Sequence, residues 1–347
     1  MKKTKVVLGI SGGVDSSVAI YLLKNMGYEV IGVNVVLYDE SKNPKSCCSI
    51  EALRLAYKVA KKFGIEFKVI NYSKEFKSGI VKMFIDEYLK GNTPNVCVFC
   101  NRDYKMKVLF DYSKKIGGYF STGHYARIGI FRDKKVIMKG VDENKDQSYF
   151  LSYLSREMVD SLILPIGDYT KEQVREIATN IGLINARRSD SMDLCFLDND
   201  YREFLIQKGN YEPKEGYFVD KYGNILGKHK GYPLYTIGQR RGLNISLGKR
   251  AYVIDIIAQT NTVVIGFEED AYSSFIKLKN LNLFVELENE FEAEVKIRNV
   301  HKPAKALIKI FNNYAEVEFE KPQFSPARGQ IGAIYIKDYL VGAGIIS

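Results

Sequence analysis

The stretch Lys5-Val6-Val7-Leu8-Gly9-Ile10-Ser11-Gly12-Gly13-Val14-Asp15-Ser16-Ser17 runs from an apolar segment through a glycine pair into a helical pattern. Lys5 to Ile10 is short and apolar enough to be a buried strand. Val18, Ala19, Leu22, Leu23 and Met26 then recur at helical spacing, and Gly27 supplies a stop. The glycines let the backbone turn sharply and approach a ligand, and the helix that follows points its free amides at it. Ser16 and Ser17 add hydroxyls, and Asp15 lies at the helix start. The result is a cradle for anions, suited to phosphates. It lacks the third glycine of the dinucleotide fingerprint and the Gly-Lys-Ser/Thr of the Walker loop.

Outward from this loop the first half alternates strand and helix. Val30 to Leu37 is β-branched, Ser49 opens a helix closed by Gly64, and Phe67 to Ile70 and Tyr119 to Thr122 read as strands. Strands separated by helices imply right-handed crossovers and a mainly parallel sheet, with ligands beyond the carboxyl ends of the strands. Thr170 caps a further helix that Gly182 stops. From Gly216 the chain is punctuated by glycines, with a hairpin turn at Asp220 to Asn224. Past Ser274, Phe291, Ala293, Val295 and Ile297 alternate with charged residues, the period of a small β-barrel or sandwich. The expected fold is therefore α/β: a doubly wound parallel-sheet domain over 1–204, a small central α/β or β domain over 205–270, and a C-terminal β-barrel over 271–347.

The 347 residues include 51 Lys and Arg against 41 Asp and Glu, a net charge of +10, which suits a polyanionic partner. Hydrophobic residues at 46% and charged residues at 27% are ordinary for a globular protein. No run approaches the ~18 apolar residues of a membrane span. The basic start leads into the glycine loop instead of a cleavage site, so a cytoplasmic location is expected.

Five cysteines, Cys47, Cys48, Cys97, Cys100 and Cys195, are too few and scattered for a secreted disulfide scaffold. Cys97-Val98-Phe99-Cys100 can be redox-active, hold half a zinc site or ligate an iron–sulfur cluster, and no histidine follows at zinc-finger spacing. Cys100 and Cys195 both read as loop residues, the first in a loop from Gly91 that contains Pro94 and Asn95 and precedes a helix. A thiolate or persulfide would also serve as a soft nucleophile. Cys47 and Cys48 read as structural thiols, and His229 and His301 as surface residues. Arg240 and Arg241, in a glycine-flanked loop, suit phosphate contact.

Ser11 to Ser17 resembles the pyrophosphate loop (PP-loop) of the N-type ATP pyrophosphatases, which cleave ATP between the α and β phosphates. Further blocks extend the likeness over nearly the whole chain: Cys47-Cys48-Ser49, Thr93 to Asn101, Thr122 to Arg127, Gly140 to Phe150, Asp190 to Phe196, Tyr235 to Leu243, Gly329-Gln330 and Val341 to Ile345. Together they resemble the tRNA-specific 2-thiouridylases.

That resemblance implies an ATP-dependent tRNA sulfurtransferase. Gly9, Ile10, Ser11, Gly12, Gly13, Val14, Asp15 and Ser16 would bind ATP with Mg²⁺, and Val35 and Gly123 would complete the adenine site. Asn95, Val96 and Cys97 would lie beside the target base. His124, Lys145, Asp146, Gln147, Arg298, Asn299 and Gln330 would touch the tRNA. ATP would adenylate the C2 oxygen of the unpaired wobble uridine. A persulfide on Cys195, loaded by a cysteine desulfurase or a relay protein, would attack C2. Cys100 would then release the base by forming a disulfide with Cys195, to be reduced before the next turnover.

Many relatives carry Asp in place of Cys97. Here Cys97, Cys100 and Cys195 form a three-thiolate set, and a 4Fe–4S cluster fed by inorganic sulfide is the alternative route. Val96, Met192 and Asn299 also depart from the commoner family residues. Two other function classes compete: an adenylating PP-loop synthetase acting on a small molecule, and a non-catalytic RNA-binding protein.

Overall fold

The computed structural model describes residues 3–38, 49–188, 194–198 and 200–347. Cys47, Cys48 and Met192 lie outside the described residues. The chain forms two compact units. One comprises Met1–Val81, Cys97–Asp198 and Asp338–Val341, the other Lys82–Val96, Asn199–Lys337 and Gly342–Ser347.

The first unit is built on β1 (Lys5–Gly9), β2 (Glu29–Val36), β3 (Glu66–Asn71) and β4 (Tyr119–Ser121). A hairpin, β5 (Ala126–Phe131) and β6 (Lys134–Lys139), precedes the short β7 (Leu162–Ile163). The sheet order is β3-β2-β1-β4-β7 and every pairing in it is parallel. Val6, Val7 and Leu8 are fully buried, as a central strand covered on both faces requires. After β1 the chain builds outward through β2 and β3, then returns to add β4 on β1's other side. The strand order thus reverses at β1, the switch point where such sheets bind ligands.

Local signals place the helices. Helix α1 (Val14–Asn25) starts at Gly13 and buries Val18, Ala19, Leu22 and Leu23. Helix α2 (Ile50–Phe63) is capped by the Ser49 side chain, which accepts from the Ala52 amide, and ends on Gly64 at φ 61°. The helix Lys171–Asn180 carries a complete capping box between Thr170 and Gln173. Arg132 and Asp133 take left-handed φ values of 48° and 58° at the β5–β6 turn, and β6 pairs with Tyr339 and Leu340.

The second unit contains a four-stranded sheet of β8 (Gly216–Val219), β9 (Ile225–His229), β10 (Ala251–Ile257) and β11 (Thr262–Phe267), ordered β10-β11-β8-β9. Its barrel is made of β12 (Tyr272–Leu283), β13 (Glu290–Lys296), β14 (Ala304–Ile310), β15 (Tyr314–Phe324), β16 (Ile331–Ile336) and β17 (Tyr339–Ile346). Order β12-β15-β14-β13-β16-β17 closes through a β12–β17 pairing, which leaves no free edge in that ring. Inward Ala306, Ile308, Val317 and Phe319 are buried, alternating with Lys305, Glu316 and Glu318. Parallel sheet and closed barrel are both as the sequence predicts.

His229 is not the surface residue its composition predicts. It is 3% exposed, packed between the rings of Phe218 and Tyr235, and its Nδ1 accepts from the Gly231 amide at 3.0 Å. Burial holds its pKa below the usual histidine range. No helix among the described residues is long and apolar enough to cross a membrane.

Candidate active site

A cavity opens at the carboxyl end of β1. Gly9, Ile10, Ser11, Gly13, Asp15 and Ser16 line one wall, Val33 to Val35 and Leu37 follow from β2, and Thr122, Gly123 and His124 follow β4. Lys105, Leu109 and Gln147 complete the lining. Of the ten residues assigned to ATP, the cavity gathers Gly9, Ile10, Ser11, Gly13, Asp15, Ser16, Val35 and Gly123. Gly12 and Val14 do not line it, and Val14 is the buried first residue of α1.

The loop is held by its own hydroxyls. Ser16 Oγ and Ser17 Oγ donate to the Gly13 carbonyl at 3.1 and 2.8 Å, which closes the first turn of α1. Gly12 has φ +74°, and a Cβ there would stand 2.3 Å from the Ala52 carbonyl oxygen of α2. Gly123 has no room either: its Cβ would lie 2.8 Å from the Ser16 amide nitrogen. Both glycines are needed for backbone approach, one at a left-handed turn and one against the helix start. Buried Asn34 donates to the Ile10 carbonyl at 2.7 Å and ties the end of β2 to the loop.

Asp15 meets a cation that sequence reasoning missed. Lys171 Nζ lies 2.8 and 2.9 Å from the two Asp15 carboxylate oxygens, and Tyr125 donates its hydroxyl to one of them at 2.7 Å. Lys171 is 6% exposed and sits at the first position of its helix, where the dipole disfavours a cation. A lysine directly after the Thr170 cap was the only signal, and it named no partner. Lys171→Met is expected to lower stability by about 2 kcal/mol, less than the ~3–5 kcal/mol of a wholly buried pair because the Asp15 side chain is 27% exposed. Denaturant melts with and without ATP would measure it.

Asp15 is the one carboxylate among the described residues lining the cavity, a hard oxygen donor of the kind Mg²⁺ uses beside phosphates. Lys105 supplies the lining with a cationic side chain. His124 Nδ1 lies 2.7 Å from Thr122 Oγ1. Burial, helped by the Lys105 charge, pushes the His124 pKa down to about 3. The imidazole is therefore neutral at physiological pH, able to hydrogen-bond but not to hold a phosphate by charge. Because the folded-state pKa lies below the unfolded value near 6.5, the unfolded chain takes up the proton first. Its contribution to stability is full above pH 6.5 and falls as pH drops toward 3. His124→Gln should flatten the melting-temperature profile across that window.

The thiols lie differently from expectation. Cys100 was expected in a loop, but Val96–Cys100 is a helical turn that continues through Asn101–Lys105 into the helix Met106–Lys115. The run Val96, Val98 and Phe99 is buried, and apolar burial stabilises the turn where Pro94 and Asn95 alone suggested irregular chain. Cys195 does sit in a turn, and all three cysteines are half-buried. One aromatic cluster links their neighbours. The Phe76 ring lies 5.8 Å from Phe196, next to Cys195, and 5.9 Å from Tyr104, four residues beyond Cys100.

Among the described residues no three His, Cys, Asp or Glu side chains are placed to hold a metal ion. Cys97 and Cys100, three apart on a helix, share a face, but Cys195 comes from a separate turn and does not complete a ligand set. As placed among the described residues, the three thiols do not form the ligand set that the alternative 4Fe–4S route would need.

The residues assigned to tRNA divide between the units. In the first, Gln147 accepts from the Tyr125 amide at 3.0 Å, and Lys145 is half-buried. Buried Asp146 accepts from the Gly140 and Ser148 amides and from Ser148 Oγ, so its carboxylate shapes the turn. In the second, Gln330 Nε2 donates to the Thr93 carbonyl at 2.7 Å and the Asn95 amide to the Gly329 carbonyl at 3.3 Å. Val96 belongs to this unit, whereas Cys97 belongs to the first. Arg298 donates to the Ile237 and Ser325 carbonyls, and Asn299 Oδ1 is buried with no hydrogen-bond partner. Exposed Arg240 and Arg241 line an open concavity with Arg202, Gln239 and Gly242.

Residues 4–199 match a family model described as the tRNA methyl transferase HUP domain. Residues 202–267 match its PRC-barrel domain, and 273–346 an aminomethyltransferase beta-barrel domain. A tRNA-specific 2-thiouridylase of Clostridium botulinum (strain Loch Maree / Type A3) is 47% identical over 353 residues, covering 100% of this chain and 99% of that protein. The chain belongs to the tRNA-specific 2-thiouridylase family. A 2-thiouridylase of Clostridium perfringens (strain 13 / Type A) is 43% identical over 355 residues, again covering 100% of this chain and 99% of that protein. Among solved structures, a 4-thiouridine synthetase–RNA complex with bound ATP matches with TM-score 0.37 and 18% identity, covering 60% of this chain and 50% of that one. The 2-thiouridylase relatives are matched end to end, so the family likeness includes the barrel as well as the anion loop.

Proposed function

We propose that the protein is an ATP-dependent tRNA 2-sulfurtransferase acting on an unpaired wobble uridine. The observation that carries this reading is the Ser11–Ser16 anion loop walling a cavity at the β1 switch point, in a chain matched throughout by 2-thiouridylases. In this reading the chain divides into an adenylation domain over 1–204, a small central domain over 205–270 and a tRNA-contacting barrel over 271–347.

ATP lies with its phosphates against Ser11, Gly13 and Ser16 and its adenine toward Val35 and Gly123; Asp15 would hold the accompanying Mg²⁺, which would neutralise phosphate charge, in exchange for part of its contact with Lys171. The uridine C2 oxygen attacks the α-phosphorus and pyrophosphate leaves, its charge received by the loop amides and hydroxyls. Asn95, Val96 and Cys97 flank the base; His124, Lys145, Gln147, Arg298, Asn299 and Gln330 contact or position the tRNA, and Asp146 braces their turn. The terminal sulfur of a Cys195 persulfide attacks C2, forming a C–S bond as AMP departs with the C2 oxygen. The Cys100 thiolate then attacks Cys195 Sγ; the Cys100–Cys195 disulfide forms and the thiolated base leaves. An external thiol reduces that disulfide, and a cysteine desulfurase or relay protein reloads Cys195. Persulfide transfer uses only Cys195 and Cys100, whereas a 4Fe–4S cluster would need three thiolates gathered at once, so the persulfide route is the one proposed. A tRNA substrate implies a cytoplasmic location.

The test is mass spectrometry of wobble 2-thiouridine in tRNA from cells with and without the gene. Loss of the nucleoside on deletion is expected; unchanged levels would refute the function. Arg240→Gln with Arg241→Gln should weaken tRNA binding and reduce its salt slope by about 1 per lost phosphate contact, measured by filter binding from low to moderate salt.

A further inference from the structure

We propose that Asn185 is a positioning residue for the anion loop, acting from behind it to keep the Gly13 amide N–H turned into the cavity. The inference rests on the reading that this loop receives the pyrophosphate portion of ATP. Asn185 is 3% exposed and does not line the cavity. Its Nδ2 donates to the Gly12 carbonyl and to Ser17 Oγ, both at 2.9 Å. Arg188 adds a longer contact of 3.4 Å to the same Gly12 oxygen. Ser17 Oγ in turn donates to the Gly13 carbonyl at 2.8 Å, so one side chain ties down two successive carbonyls of the loop.

The consequence follows from peptide geometry. In a trans peptide the C=O and the next N–H point to opposite sides. Holding the Gly12 oxygen against Asn185 therefore fixes the Gly13 N–H on the other side. That amide's contact within the loop, Ser11 Oγ at 3.4 Å, is long, which leaves most of its donor strength for an anion. Gly12, with no Cβ and φ +74°, has little of its own to resist rotation of this peptide plane. An external clamp is what a glycine loop requires to be preorganised.

The orientation of the Asn185 carboxamide is itself determined. A flipped amide would set Oδ1 against the Gly12 carbonyl, two acceptors face to face. In the orientation found, Oδ1 is buried without a hydrogen-bond partner. A buried orphan acceptor costs stability, and the arrangement keeps it in exchange for two donations that both end on the loop.

The experiment measures binding of inorganic pyrophosphate with Mg²⁺, and separately of adenosine, by calorimetry on the full chain and on Asn185→Leu. Leucine keeps the volume and removes the donor. Pyrophosphate affinity should fall about tenfold, the scale of one lost hydrogen bond to a charged group, while adenosine affinity stays within about twofold. Equal loss for both ligands, as general loosening would produce, or no loss for pyrophosphate, overturns the proposal. If the leucine variant does not fold, Asn185→Ala, which crowds nothing, reads the same ratio with the same outcomes. Failure of the unsubstituted protein to bind pyrophosphate overturns the nucleotide reading and this inference with it. Binding by the unsubstituted protein with an unchanged ratio in the variant overturns this inference alone.

Discussion

Cys195→Ser is expected to lower tRNA thiolation by at least about a thousandfold, the scale seen when a nucleophile is removed, while ATP binding stays unchanged. A serine hydroxyl cannot carry a persulfide, so no sulfur reaches C2. The anion loop, at the other end of the unit's sequence, keeps its contacts. Residue 195 is half-buried in a turn and its neighbour Phe196 is anchored against Tyr38 and Phe76, so the exchange of sulfur for oxygen leaves the fold in place. Mass spectrometry of digested tRNA gives the thiolation; calorimetry gives ATP affinity. Full activity in the variant would remove Cys195 from the reaction. Loss of both activities would mean that the turn supports the nucleotide site.

Gly12→Ala should be the most damaging small change in the nucleotide loop, and its neighbour Gly13→Ala should be mild. At Gly12 the φ of +74° costs an L residue about 1–2 kcal/mol. The new Cβ would also stand 2.3 Å from the Ala52 carbonyl, a backbone atom in the first turn of α2 that cannot swing aside. Overpacking of that kind adds roughly 1–3 kcal/mol, so a total loss of about 3 kcal/mol is expected. At Gly13 the nearest atom to an added Cβ is Ser11 Oγ at 3.4 Å, an ordinary contact, and φ is −79°. Its stability should change by less than about 1 kcal/mol. Urea unfolding of the two variants side by side is the check. Equal losses would show that the loop glycines serve the ligand and not the α2 contact.

The parts of the molecule that were readable in advance are those governed by short-range rules. β1, α1 and the glycines between them follow from hydrophobic spacing and from where a chain can turn. Thr170 and Ser49 announce their helices because an N-cap acts on amides two or three residues away. The barrel shows in the alternation of Phe291 to Ile297. Cys100 was misplaced because burial of Val96, Val98 and Phe99, not local propensity, makes that segment helical. His229 looked like a surface residue because nothing nearby in sequence reveals that Phe218 and Tyr235 will enclose it.

By itself the sequence determined the strand–loop–helix anion cradle, the parallel α/β domain, the closed barrel and, through its blocks of family residues, membership among the 2-thiouridylases. Only the tertiary structure decided which groups complete the cradle. Lys171 reaches Asp15 across 156 residues and Asn185 reaches Gly12 across 173. Only the tertiary structure, too, showed that Phe76 joins the surroundings of Cys100 and Cys195, while among the described residues the three thiols are not gathered as a metal ligand set. The division has one physical cause. Turns, caps and periodicity act over a few residues and leave a mark in the chain, whereas a buried ion pair or a single amide clamp depends on which distant elements packing brings together.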